Sequence, residues 1–161
     1  MLKLTGAFLL IAAGLCIGLV KAGEMKRHER ILAALIRLIQ WMKTRLRYSS
    51  EPMGDLLARA AAEGDFSPLS VPAFSRSLPF AAGWQGFVEQ TDLPAADRLL
   101  LRRFGEELGR TDLEGQLAHM ELYGELLEER RRLAAEEFRK KGRVPVVLWT
   151  AGAAAAVLLL L

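Results

Sequence analysis

The sequence is poor in the residue types that build disulfide-linked or metal-bound domains. Its 161 residues include one cysteine, Cys16, and two histidines, His28 and His119. A single cysteine excludes an internal disulfide framework and a cysteine-based zinc site. His119 and Glu121 are two positions apart, so on a helix their side chains point in different directions. We therefore predict neither a metal nor a cofactor.

Signatures of catalysis are also lacking. The segment from Gly105 to Gly109 has no Lys-Ser or Lys-Thr pair after it, as a phosphate-binding P-loop would require. No Ser-His-Asp order with a nucleophile turn appears. Adjacent carboxylates such as Glu106 and Glu107 are typical of a solvated helix face. The sequence thus predicts a protein that is not an enzyme.

Charge is nearly absent from both ends of the chain. Lys3 is the one charged side chain in the first 20 residues, and Val144 to Leu161 has none. A membrane-spanning helix needs roughly 17–25 mostly apolar residues. We predict an N-terminal transmembrane helix at 1–20, a helical domain at 21–143 and a C-terminal transmembrane helix at 144–161.

The first apolar segment has an alternative interpretation as a cleaved signal peptide. Val20 and Ala22 lie at suitable positions before Gly23. However, basic residues follow this segment rather than precede it, which favours a retained anchor. In the alternative, residues 1–22 are removed, and a C-terminal membrane anchor holds an exported helical domain outside the membrane.

Basic residues cluster beside both apolar segments. Because basic flanks face the cytoplasm, we expect two spans with the main domain cytoplasmic. These residues would meet anionic lipid headgroups, and since a membrane explains them, no nucleic acid is expected. Residues 48–138 carry nine basic and 17 acidic residues. The membrane-proximal basic collar consists of Lys21, Lys26, Arg27, Arg30, Arg139, Lys140, Lys141 and Arg143.

Apolar residues recur at steps of three and four along most of the domain, whereas no strand-like alternation occurs. The fold class predicted is all-α, an antiparallel helical bundle with an N-terminal and a C-terminal transmembrane helix. The first span continues unbroken to Tyr48. The predicted helices that follow run from Pro52 to Glu63, over 70–78 and 83–91, from Asp92 to Leu108, and from Thr111–Asp112 towards the second span.

The segment between the last two helices has an unusual density of polar and glycine signals. Two glycines flank one helix end, and Thr111-Asp112 begins the next helix. These signals are explained either by a capped turn between helices or by a surface that docks a partner. The candidate partner-docking corner comprises Phe104, Gly105, Leu108, Gly109, Thr111, Asp112, Gln116 and His119.

The same residues resemble a known family, that of stage III sporulation protein AB. The resemblance rests on Phe104-Gly105, Leu108-Gly109, Thr111-Asp112, Gln116 and His119, together with Met1 to Leu4, Gly6, Tyr48 to Pro52 and the apolar C-terminus. It covers essentially the whole chain, although 64–91 matches only loosely. At Thr111 the family has a serine, and threonine keeps the capping hydroxyl.

The resemblance implies more than the residues themselves indicate. Members of this family are similar to the inner-membrane platform protein of type II secretion and type IV pilus systems. The resemblance implies that the protein is part of a secretion-like complex in the mother-cell membrane, and that this complex forms a channel to the forespore. The implied partners are a cytoplasmic secretion-type ATPase, stage III sporulation protein AA, and other membrane components of the complex. Self-association into a homo-oligomer stays open.

Overall fold

The computed structural model describes residues 2–49, 51–71 and 79–141, with side chains from residue 20 to residue 140 of these ranges. The described residues form five helices and no strand. The helices are α1 (Leu2–Tyr48), α2 (Met53–Glu63), α3 (Phe80–Gln90), α4 (Ala95–Glu107) and α5 (Leu113–Lys141). The all-α prediction is therefore confirmed for this part of the chain.

Helix α1 extends for 47 residues without a break, as predicted. No proline interrupts it, so each backbone N–H keeps its acceptor one turn earlier. The segment from Ile31 to Leu46 is apolar on several faces, and Leu32, Leu35 and Leu38 are completely buried. A helix that is apolar nearly all round is expected inside a helical core, and this segment occupies that position.

Helix α2 begins after Pro52 and ends before Gly64, close to the predicted limits. The Pro52 carbonyl accepts hydrogen bonds from the N–H groups of Asp55 and Leu56. Proline is suited to a helix start because its missing N–H would have no intrahelical acceptor there. The buried face of α2 carries Leu56, Leu57 and Ala60.

Prolines also place the beginnings of α3 and α4, and here the predicted boundaries were inaccurate. Helix α3 begins at Phe80 rather than at residue 83, because extended Pro79 lies directly before it. Helix α4 begins at Ala95, so Pro94 precedes the helix instead of belonging to it, and Asp92 is not its capping residue. The helix predicted over 70–78 falls mostly on 72–78, outside the described residues.

The chain divides into two units, which are described separately. One unit, Arg30–Arg131, holds the buried apolar core, to which α1, α2, α3, α4 and α5 all contribute. Contacts of Asp97 with Arg130, and of Phe104 with His119, show that α4 and α5 pack antiparallel. The other unit comprises the chain ends, Met1–Glu29 and Arg132–Leu161, of which 2–29 and 132–141 are described.

No helix among the described residues is long and apolar enough to cross a membrane. The predicted span at 1–20 corresponds to the start of α1, and the side chains of residues 1–19 lie outside the described set. The predicted span at 144–161 lies wholly outside the described residues. Both spans therefore stay predictions.

Candidate docking site

The corner between α4 and α5 is stabilised by local hydrogen bonds. The Leu108 N–H donates to the Phe104 carbonyl over 3.1 Å, and Gly109 then adopts a φ of 86°. Glycine reaches this left-handed conformation without steric penalty, which is why it commonly ends helices. At the start of α5 the Asp112 carboxylate accepts the Gly115 N–H over 3.0 Å. The predicted turn at Gly109 is present, and Thr111-Asp112 precedes α5 as predicted, with the Asp112 carboxylate rather than the Thr111 hydroxyl accepting this capping hydrogen bond.

Two side chains on α5 bind back to this corner. The Gln116 side-chain amide donates to the Thr111 carbonyl over 2.9 Å. The His119 Nε2 lies 3.0 Å from the Phe104 carbonyl oxygen, so this ring nitrogen is the donor. Its other nitrogen, Nδ1, is 3.5 Å from a Glu107 carboxylate oxygen, a pair that becomes ionic when the ring is protonated. His119 therefore links the end of α4 to the second turn of α5.

An aromatic cluster fills the interior of the corner. The Phe104 ring stacks on the His119 ring at 5.3 Å and 9°, and the rings of Trp84 and Tyr123 pack against Phe104 at 5.1 and 5.3 Å. Ring pairs at these separations add about 0.5–1.5 kcal/mol each beyond the burial of their area. The corner consequently belongs to the hydrophobic core of the unit Arg30–Arg131.

Gly105 is a point of close approach between α3 and α4. A Cβ atom at this position would lie 2.1 Å from Cδ1 of Trp84, so no larger residue fits without movement of the indole. The Trp84 Nε1–H donates to the Leu101 carbonyl over 2.7 Å, which fixes the ring in this place. The sequence marks Gly105 as special, but it contains no signal that Trp84 is its neighbour.

The candidate corner residues differ in exposure. Phe104, Gly105 and Leu108 are buried, and Gln116 and His119 are half-buried with internal hydrogen bonds. The exposed rim consists of Gly109, Thr111 and Asp112. The geometry thus explains most of these residues by the construction of the turn. Docking of a partner at the corner stays a prediction, and it would have to involve the rim.

Sequence reasoning missed an ion pair between α4 and α5 in which the acidic partner is buried. The Asp97 carboxylate accepts a hydrogen bond from the Arg130 Nε–H over 2.6 Å. Asp97 is 2% exposed, and it is the one charged residue that is buried in the described part of the chain. An acidic residue in the first helical turn is usually explained by the helix dipole at the surface. Its sequence position therefore gave no indication that it would be buried.

The outward face of α5 is both acidic and apolar. Leu122 and Leu126, one turn apart, are 52% and 40% exposed. The acidic face of α5 is defined as these two leucines with the exposed carboxylates beside them, Glu121, Glu125, Glu128 and Glu129. The apolar residues of α5 recur at three- and four-residue steps, and of these Met120 and Leu127 are buried, whereas Leu113 is exposed.

The basic collar is exposed wherever its side chains are described. Lys21, Lys26, Arg27, Arg30, Arg139 and Lys140 are all solvent-accessible. The Lys141 side chain and Arg143 lie outside the described set. Within that set no group of three or more His, Cys, Asp or Glu residues could hold a metal ion.

These features define an all-helical protein with an aromatic interhelical corner and a charged outer helix face. The model of the stage III sporulation protein AB family matches residues 3–161, nearly the whole chain. The chain belongs to this family, which confirms the resemblance noted above and indicates a role at stage III of sporulation. No curated protein and no solved structure matches the chain.

Proposed function

We propose that the chain is a non-enzymatic membrane platform, or adaptor, of a secretion-like complex between mother cell and forespore. In this proposal the spans at 1–20 and 144–161 hold it in the mother-cell membrane, and the helical domain faces the cytoplasm. Membership of the sporulation family supports the cellular setting. The charge-poor ends and the exposed collar support attachment to a membrane with anionic lipids.

The observation that carries the adaptor role is the acidic face of α5. Large apolar side chains that stay exposed beside a row of charges are typical of surfaces that bind other proteins. Leu122 and Leu126 meet this description, with Glu121, Glu125 and Glu129 beside them. Such a surface would attract a basic partner, because charge complementarity steers association and disfavours wrong partners. We assign that partner as the cytoplasmic secretion-type ATPase.

Co-purification of the full-length chain with stage III sporulation protein AA tests the proposal. We expect a complex in mild detergent at low salt, with an affinity that decreases as salt screens the charges. Absence of any complex, in detergent and in membranes, would contradict the adaptor role.

The predicted docking corner is tested in the same assay. Asp112→Asn removes the charge of the rim but keeps an acceptor for the Gly115 N–H, so the α5 cap is preserved. Weaker binding of this variant supports a contact of the rim with the ATPase. Unchanged binding of Asp112→Asn, and also of Thr111→Val, which removes the hydroxyl at nearly equal volume, assigns the corner to the turn alone.

A further inference from the structure

A groove of about 280 Å³ lies between α1 and α5 in the unit Arg30–Arg131. Its lining includes the apolar side chains of Ile36, Ile39 and Met120, which are 7%, 1% and 1% exposed. Gly124 opens the groove on the α5 side, because this position has no side chain and a Cβ built there would meet no atom within 4 Å. The groove is therefore space that the protein's own side chains leave unfilled.

One wall of the groove is acidic. Glu121, Glu125 and Glu128 line it from α5, whereas Lys43 is the single basic residue in the lining. Lys43 pairs with Glu121 over 3.0 Å, and Glu128 pairs with Arg131 on its own helix. Glu125, on the turn between these two pairs, is exposed to solvent. The wall thus keeps a negative charge beside an apolar lining.

The acidic wall separates the groove from the exposed leucines. Successive helical residues are rotated by about 100°, so Leu122 and Leu126 lie roughly opposite Gly124 around the axis of α5, with Glu125 between the two sides. An occupant that crossed the wall would meet apolar surface, carboxylates and apolar surface in turn. This order matches a segment whose basic residues are flanked by apolar ones.

We infer that the groove between α1 and α5 receives a basic side chain of an amphipathic helix of the partner protein. A lysine or arginine of that helix would lie with its aliphatic stem over Ile36 and its charged head near Glu125, since long basic side chains commonly bury the stem and keep the charge in water. Grooves between helices are a recurrent site for amphipathic helices. The inference rests on the proposed adaptor function and names the class of segment that the adaptor recognises.

The charge of the groove distinguishes this occupant from other classes. Nucleic acid and anionic lipid both present phosphates, which the carboxylates of Glu121, Glu125 and Glu128 would repel. The same carboxylates would attract a basic occupant. Charge complementarity thus favours a cationic protein segment.

Filling the groove is the sharpest test. Gly124→Leu projects a side chain into the groove from a position where a Cβ meets no atom within 4 Å. Gly86→Leu is the matched control, because Gly86 is exposed on α3 and its Cβ would also be unobstructed. We expect Gly124→Leu to weaken binding of the full-length chain to the ATPase at least tenfold, and Gly86→Leu to change it less than twofold.

Reversing one charge tests the acidic wall independently. Glu125→Arg is expected to weaken the same binding at least tenfold, whereas Glu106→Arg, on the exposed surface of α4, is the control and should bind within twofold of the unaltered chain. Melting temperatures of all four variants no lower than that of the unaltered chain would show that the effects do not arise from unfolding.

The outcomes separate the two proposals. If the unaltered chain does not bind the ATPase, the adaptor function is contradicted. If it binds, but Gly124→Leu and Glu125→Arg bind equally well, the groove is not the site. A photo-crosslinking residue in place of Gln40, which lines the groove and carries no charge, identifies the occupant: an ATPase peptide rich in lysine or arginine supports the inference. Crosslinking to a second copy of the chain, or to an ATPase peptide without basic residues, overturns it.

Discussion

Tyr123 shows how the corner affects a single ionisable group. Its side chain is 6% exposed and packs against Phe104. Burial raises the pKa of the Tyr123 hydroxyl above its usual 10.0, and the charges of Glu107 and Glu106 raise it further, while Arg103 partly opposes them. The folded state therefore favours the neutral phenol. This contribution to stability is complete below about pH 10 and is lost as the pH rises through the higher pKa of the folded state.

Removal of the exposed tyrosine makes this effect measurable. Tyr48 is 83% exposed, and the Tyr48→Phe variant leaves Tyr123 as the one phenol of the chain. We expect the tyrosinate absorbance of Tyr123 to appear at a higher pH in the folded variant than in the same variant unfolded by denaturant. Superimposable titration curves of the folded and the unfolded variant would contradict the burial of Tyr123.

The helices themselves were largely predictable, and their contacts were not. Steps of three and four predicted helices along α1, α2, α4 and α5, and Gly109 marked the turn before α5. The predicted starts of α3 and α4 were inaccurate. Pro79 was treated as a break between segments and Pro94 as part of a helix, whereas each of them directly precedes a first helical turn. The local sequence pattern indicates whether a segment is helical. The helix against which its apolar face packs depends on residues that are distant in the sequence.

The partners of Gly105 and Asp97 illustrate this limit. Trp84 is 21 positions from Gly105, and Arg130 is 33 positions from Asp97. Neither contact has a signal in the local sequence. The candidate corner was likewise predictable as a list of residues, but its division into a buried interior and an exposed rim follows from the packing of α3, α4 and α5.

Identical glycine-to-alanine substitutions should have opposite effects in α4 and α5. At Gly105 the new methyl group would overlap the Trp84 ring, so we expect Gly105→Ala to lower the free energy of unfolding by about 1–3 kcal/mol. At Gly124 the methyl group meets nothing, and alanine is favoured in a helix interior by up to about 1 kcal/mol, so Gly124→Ala should stabilise.

Thermal or denaturant unfolding of the two variants under the same conditions gives the comparison. A third substitution, Gly86→Ala, serves as the reference for an unobstructed helical position outside the groove. If Gly105→Ala were as stable as Gly86→Ala, the close contact between α3 and α4 would be wrong.

At the scale of the whole molecule, the proposed topology requires the helical domain to face the cytoplasm. The basic collar next to both predicted spans supports this orientation. The exported alternative places the same domain on the opposite side and removes residues 1–22. Both arrangements use the same fold, so the distinction depends on accessibility and not on the packing of the helices.

A single introduced cysteine can report the orientation in intact cells. Gly86→Cys is suited to this use because the position is exposed and a Cβ there is unobstructed. Gly64, which follows α2, is a poorer position for the cysteine, because a Cβ there would lie 1.9 Å from a Phe66 ring carbon. We expect a membrane-impermeant thiol reagent to label Gly86→Cys only after the membrane is opened.

The unaltered chain is the control for this labelling, since its one cysteine, Cys16, falls in the first predicted span and should react poorly. Labelling of Gly86→Cys in intact cells, together with a mature N-terminus at Gly23, would establish the exported arrangement. It would also remove the cytoplasmic ATPase as a direct partner.

The contact of Gly105 with the indole of Trp84 has an evolutionary consequence. The side chains at these two positions share one fixed volume, so a larger side chain at one position requires a smaller side chain at the other. In diverging members of the family, a side chain in place of Gly105 should accompany a smaller ring in place of Trp84. These two sites would then be inherited as a covarying pair, although they are far apart in the chain.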